Sequence, residues 1–262
     1  MFRGLYTAAS GMLSQQRRIE MMTNNIANAN TPGYKADQAS LRAFPEMLMH
    51  RIQQTTIPTE KKLTWRDRTY IGPLSTGVYV QELVPNFAQG DIRETGNNTD
   101  LAIVDGTGTS FFTVQNETGD VRYTRNGHFT IDADGFLTTT DGLYVLDENN
   151  NRIFVGDEQF TVLTDGTITK NGKQLARLRI AYAENVQALA KEGNGLFRAE
   201  QQLPTAETYT IRQQYIERSN VDLSRAMTDM LSAYRAFEAN QKILQAYDKS
   251  MDKAANEIGR LK

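Results

Sequence analysis

The chain holds only two histidines, His50 and His128, and no cysteine. The two imidazoles lie far apart in sequence and in stretches of different character, whereas nitrogen- and sulfur-ligated metal centres draw on clustered His and Cys. Asp132-Ala133-Asp134-Gly135 has the opening of a calcium loop. It lacks the third acidic position before the glycine and the downstream Glu, so it reads as a hairpin turn. Gly106-Thr107-Gly108 is too short for a dinucleotide fingerprint and leads into a strand rather than a helix. Ser10 and Ser75 stand outside any nucleophile-elbow context, and local sequence marks no Ser/His/Asp set. The expectation is no catalytic residue, no metal ligand, no cofactor and no small-molecule substrate. The chain is not expected to be an enzyme.

With 262 residues, the chain suffices for one large domain or two small ones. Its apolar fraction is 39% and its net charge −2, with no block of like charges. Bulk electrostatics therefore gives no attraction to nucleic acid or an anionic membrane, and no nucleic-acid partner is expected. No run of about 18 apolar residues marks a membrane-spanning helix. Residues 1–16 lack a continuous apolar h-region, so export by a Sec signal is not expected.

The elements that would position any functional residue begin and end the chain. Leu5, Ala8, Met12, Ile19, Met22, Ile26 and Ala29 step by three and four, as do Leu223, Met227, Met230, Tyr234, Phe237, Leu244, Met251, Ala255 and Ile258. This spacing predicts two long amphipathic helices whose apolar stripes form a coiled-coil seam. The first runs from about Leu5 to Asn28 and is stopped by Thr31-Pro32-Gly33-Tyr34, where Pro32 fixes φ and Gly33 supplies the positive φ of a type II turn. The second opens at Ser219-Asn220-Val221-Asp222, where Ser219 or Asn220 can cap and Asp222, three residues after Ser219, completes a capping box. It is expected to reach about Leu261, a span of roughly 55–60 Å. The polar run Asn24-Asn25-Ile26-Ala27-Asn28-Ala29-Asn30 weakens the first helix near its end. It reads either as fraying and capping or as a hydrogen-bonding surface for neighbouring subunits.

Between the helices the pattern changes. Residues 43–52 admit a short helix, and 53–68 an extended connector. From about Tyr70, short alternating runs appear at Val78–Val80, Leu101–Val104, Phe111–Val114, Phe129–Ile131, Tyr144–Leu146, Phe160–Val162 and Leu178–Ala181. Asn126-Gly127, Asp134-Gly135, Asp141-Gly142, Asp165-Gly166 and Asn171-Gly172 punctuate them, and Asx-Gly pairs are strong hairpin signals. The expected fold class is mixed: long N- and C-terminal helices forming a coiled-coil layer, with a central all-β sandwich or irregular barrel. The expected divisions are 1–34, 35–69, 70–215 and 216–262.

Leu5-Tyr6-Thr7-Ala8-Ala9-Ser10-Gly11-Met12, followed by Asn24 to Asn30 and Thr31-Pro32-Gly33-Tyr34-Lys35, resembles the N-terminal signature of bacterial flagellar rod and hook proteins. Glu217-Arg218-Ser219-Asn220-Val221-Asp222-Leu223 and Tyr234-Arg235-Ala236-Phe237-Glu238-Ala239-Asn240 look like the matching C-terminal block. So do Thr95-Gly96-Asn97, Asp100-Leu101-Ala102-Ile103 and Tyr123-Thr124-Arg125-Asn126-Gly127 in the middle. The resemblance implies a structural axial protein of the flagellar basal body that polymerises helically, of distal-rod type by its length. The phenylalanines of the central block are displaced in Gly106-Thr107-Gly108-Thr109-Ser110-Phe111-Phe112, and residues 36–69 match weakly. A hook-type or accessory axial paralogue is the alternative, and a secreted adhesin-like module the more distant one. The implied partners are copies of itself, other flagellar rod and hook proteins, and the flagellar type III export apparatus. The implied assembly interface comprises Leu5, Ala8, Met12, Ile19, Met22, Asn25, Ile26, Asn28, Leu223, Met227, Met230, Tyr234, Phe237, Leu244 and Met251.

Overall fold

A computed structural model describes residues 2–57, 63–116 and 118–258. The chain divides into two compact units: Met1–Met22, Ala39–Leu83 and Met227–Lys262 form one, and Thr23–Gln38 and Val84–Ala226 the other.

The first unit holds most of both helices, α1 (Phe2–Ala27) and α2 (Leu223–Lys253), and the strands β1 (Asp37–Ala43), β2 (Met47–Ile57), β3 (Leu63–Leu74) and β4 (Val78–Pro85). β1 pairs with β4. α1 reaches β4 and the turn before it through polar groups: the Thr7 hydroxyl donates to Thr76 O at 2.8 Å, and the buried Ser14 hydroxyl donates to Val78 O at 2.9 Å. β2 and β3 pair only with each other, from Met47↔Leu74 to Ile57↔Leu63, with a bulge at Met49/His50. The short helix expected over 43–52 is therefore absent. Met47, Leu48 and Ile52, which suggested one helical side, alternate across a hairpin and are exposed on both of its faces.

The expected coiled-coil layer is also overturned. The described residues are mostly β, with nineteen strands, one long helix of 31 residues at the C-terminal end and a shorter one of 26 at the N-terminal end. A coiled coil buries the a and d residues of both partners. On α2 only Ala233 is buried, while Leu223, Met227 and Tyr234 are 44%, 45% and 52% exposed. The helices approach where glycines face polar tips. A methyl on Gly4 would lie 2.0 Å from the Tyr247 hydroxyl, and one on Gly11 would lie 2.9 Å from Asn240 Nδ2. Residues that close on glycine in this way are not apolar knobs filling holes. After Lys253, α2 passes into a π turn at Ala254–Ile258, and the expected continuation to Leu261 lies outside the described residues.

The second unit is built from β5 (Ile92–Glu94), β6 (Leu101–Val104), β7 (Ser110–Gln115), β8 (Val121–Thr124), β9 (Phe129–Ile131), β10 (Leu137–Thr139), β11 (Tyr144–Val145), β12 (Thr161–Val162), β13 (Thr167–Lys170), β14 (Lys173–Arg177), β15 (Ile180–Tyr182), β16 (Ala190–Lys191), β17 (Leu196–Arg198), β18 (Thr210–Gln213) and β19 (Tyr215–Glu217). The main sheet runs β16-β17-β8-β7-β11-β10-β9, with β15 also on β7. β12-β13-β14 form a second sheet, and β18–β6 and β19–β5 are separate pairs. Successive side chains of a strand point to opposite faces, so β7 supplies two cores. Phe112 packs with Leu101, Phe129, Leu137 and Ile168, while Phe111 meets Phe87 edge-on and Phe197 at a tilt, with ring centres 5.9 and 5.5 Å apart.

Candidate functional site

The central unit's largest fully buried side chains are Arg125 and Lys35 rather than apolar groups. Local sequence puts each of the four charged residues involved at an element's end. Lys35 follows the Pro32-Gly33 turn, where Gly33 has φ +68° and Tyr34 N bonds Thr31 O at 3.3 Å. Asp105 follows β6, Arg125 follows β8, and Glu217 closes β19.

All four side chains are at most 2% exposed. Arg125 donates from Nη2 and Nη1 to the two oxygens of Asp105 at 2.8 and 3.0 Å, and from Nε to Glu217 at 2.6 Å. Its remaining donors reach Ile103 O at 3.2 Å and Ser110 O. Every one of its five N–H groups is thereby used. The other Glu217 oxygen accepts from Lys35 Nζ at 2.7 Å and from Gly90 N at 2.9 Å, and Lys35 also donates to Ala88 O at 2.9 Å. The segment Gly106–Ser110 wraps Asp105, which accepts from Gly108 N and Ser110 N at 2.9 and 2.8 Å. Two cations and two carboxylates leave the cluster formally neutral.

Burial pushes the Asp105 carboxyl up, but the Arg125 hydrogen bonds and charge, with the Gly108 and Ser110 contacts, hold it well below the ordinary carboxylate range. For Arg125, burial is likewise the largest influence and acts downward, yet Asp105 and Glu217 together raise it. Burial lowers Lys35 below an ordinary lysine, with Glu217 opposing. The cluster has no exposed oxygen or ammonium to offer a substrate. It is a closed joint.

Around it, a second layer joins the same chain segments. Asn220 Oδ1 accepts from Ala36 N at 2.8 Å, and its Nδ2 donates to Asn86 O and Ala88 O at 2.8 and 3.0 Å. Lys191 Nζ bonds both Asp37 oxygens at 2.9 Å and Lys35 O at 3.1 Å, and sits 4.3 Å from the centre of the Tyr34 ring. Burial, with the charge of Asp37, raises the Tyr34 phenol.

Residues expected to face neighbours are found in two situations. Asn25 is buried, with Oδ1 accepting from Asp37 N at 2.9 Å and Nδ2 donating to Asp37 O at 2.8 Å; it holds the turn after α1. Asn28 is half-buried and bonds Asn24 O at 2.9 Å. Ala8 and Met22 are buried, and Leu5, Met12, Ile19 and Ile26 half-buried. On α2, Leu223, Met227 and Tyr234 are exposed, together with the neighbouring Leu231 at 57%, while Met230, Phe237, Leu244 and Met251 are half-buried. Elsewhere, His128 Nδ1 lies 2.6 Å from buried Asp100, whose other oxygen is taken by Thr95 and Asn97. His50 packs edge-on to Tyr70. Among the described residues, no three His, Cys, Asp or Glu gather as a metal site.

Residues 5–35 match the family "Flagella basal body rod protein", 104–173 the "Flagellar hook protein FlgE/F/G D1 domain", and 212–257 "Flagellar basal body rod FlgEFG protein C-terminal". The chain is 45% identical to the flagellar hook-basal body complex protein FlhO of Bacillus subtilis over the whole of both chains. It is 32% identical to the flagellar basal-body rod protein FlgG of Agrobacterium fabrum over 94% of this chain and 95% of that one. It belongs to the flagellar basal-body rod protein family. In this rod-family chain each matched stretch supplies part of the buried joint: Lys35 ends the first, Asp105 and Arg125 lie in the second, and Glu217 and Asn220 in the third. The family-like stretches of the sequence contain Lys35, Arg125, Glu217 and Asn220, and only the fold brings them together with Asp105. FlgG of Bacillus subtilis is 30% identical over 98% of this chain and 99% of its own length.

Proposed function

We propose that this chain, a structural component of the flagellar basal-body rod, adds copy upon copy to a helical axial assembly and joins other rod and hook proteins there. Membership of a structural family over the full chain length supports a building role rather than catalysis. The observation that carries the assembly reading is the stripe of Leu223, Met227, Leu231 and Tyr234, four large apolar side chains between 44% and 57% exposed on one helix. Residues three and four apart share a helix face, and grouped apolar surface of this kind marks an interaction site. A non-closing contact between unlike faces generates a helical filament. On this reading the chain reaches its place through the flagellar type III export apparatus and lies outside the cytoplasm once assembled.

A distal-rod position is the first reading. The second is an accessory hook-basal body component distinct from the FlgG-type segment, favoured by 45% identity to FlhO against 30% to FlgG of the same organism. Electron microscopy of basal bodies from a strain lacking the gene separates them. A truncated rod without a hook supports an obligatory distal segment. An intact rod and hook supports the accessory reading. For the interface, Met227→Asp and Tyr234→Asp are expected to abolish incorporation into basal bodies while leaving monomer unfolding unchanged. Normal incorporation of both variants would exclude this face.

A further inference from the structure

The Thr23–Gln38 segment is attached to the second unit in an unusual way. Neither apolar core of that unit includes any of its residues. Apart from the buried Tyr34 ring under Lys191 and the close approach of Gly33 to the Arg125–Asn126 backbone, its links to the rest of the unit are polar: Gly33 N to Glu217 O at 2.8 Å, Lys35 Nζ to Glu217 and Ala88 O, Ala36 N to Asn220, Asn86 N to Ala36 O at 2.8 Å, and Lys191 to Lys35 O and Asp37. Inside the segment, Asn25 clasps Asp37 through both its amide and its carbonyl, and the Tyr34 hydroxyl lies 2.7 Å from Asn24 Oδ1. The segment is thus closed on itself and plugged into a polar seat.

The seat remains paired without the plug. With Lys35 withdrawn, Glu217 keeps Arg125 at 2.6 Å and Gly90 N, and Arg125 keeps both Asp105 oxygens. Withdrawal removes hydrogen bonds that water can replace, each worth little net, and uncovers the Tyr34 ring but neither apolar core. Such a segment belongs to the low-stability end of a protein's local openings.

We infer that residues 23–38 are a polar latch that opens and closes as one local unit while the β unit behind it stays folded. Opening frees the base of α1 without breaking either core, so the N-terminal helix can be set after the β unit has formed. This inference does not rest on the assembly reading.

Native-state hydrogen exchange on the full chain tests it. In the wild type, amides of 23–38 are expected to exchange well ahead of those in β7 and β9. Lys35→Met is expected to accelerate exchange in 23–38 by roughly ten- to a hundredfold, the range for a hydrogen bond to a charged group, with 23–38 still exchanging ahead of β7 and β9. Ile168→Val, in the larger core that stays folded when the latch opens, should accelerate β7 and β9 and leave 23–38 unchanged. Exchange of 23–38 in step with β7 in the wild type would overturn the inference. So would equal acceleration of both regions by Ile168→Val. The wild-type comparison decides the matter even if the lysine variant does not fold.

Discussion

Glu217 is the residue on which the most depends, because its two oxygens separately hold Arg125 and Lys35. Removing one member of a buried ion group strands the others in a medium that solvates them poorly. Glu217→Gln is therefore expected to destabilise the fold by about 3–5 kcal/mol, read from denaturant unfolding. Asp105 gives a pH test with a definite sign. Its folded-state pKa is depressed, so its contribution is complete above the unfolded value and is lost as pH falls below about 4. The stability gap between wild type and Asp105→Asn should be full at neutral pH and narrow steadily below that point. Gly33 is fixed by both space and conformation. At φ +68° a methyl there would lie 2.4 Å from Asn126 N, and Gly33→Ala is expected to cost about 1–3 kcal/mol. The Pro32-Gly33 turn was legible, since local turn chemistry decides it. The joint was not: Lys35, Asp105, Arg125 and Glu217 are scattered along the chain, and no periodicity pairs charges across 182 residues.

Among the elements, local signals were read correctly wherever the local chain decides the outcome. Asp134-Gly135 and Asn171-Gly172 turn β9 into β10 and β13 into β14. Asn126-Gly127 carries the same dipeptide and makes no hairpin, because β8 and β9 lie apart in the sheet; Leu101 N bonds Gly127 O at 2.9 Å instead. The start of α2 shows the same competition. Ser219 was expected to cap it, but the helix begins at Leu223, with Asp222 Oδ1 accepting from Arg225 N at 3.1 Å. Asn220 is drawn into the joint. Asp222→Ala is accordingly expected to lower stability by about 1 kcal/mol, and Ser219→Ala to stay within about 0.5 kcal/mol, both by thermal unfolding. The β2–β3 hairpin was missed because inside/outside alternation reveals a strand only when one face is buried, and here the described side chains from Met47 to Gln53 are all exposed.

At the scale of the whole molecule, the apolar periodicity of the ends identified helices but misassigned what they pack against. A stripe at heptad spacing states that a face seeks cover, not which surface supplies it. On α2 that face is largely uncovered within the chain, which is why the assembly test is directed there. The latch has a further consequence, in time rather than space. Its two halves are 182 residues apart. At translation rates of roughly 5–20 residues per second, Lys35 leaves the ribosome about 9–36 s before Glu217 exists. For that interval the first stretch of every new chain has no seat, and its Tyr34 and Lys35 face solvent. A nascent chain is therefore loose at its leading end for most of its own synthesis, the interval in which a binding factor would meet it before it closes.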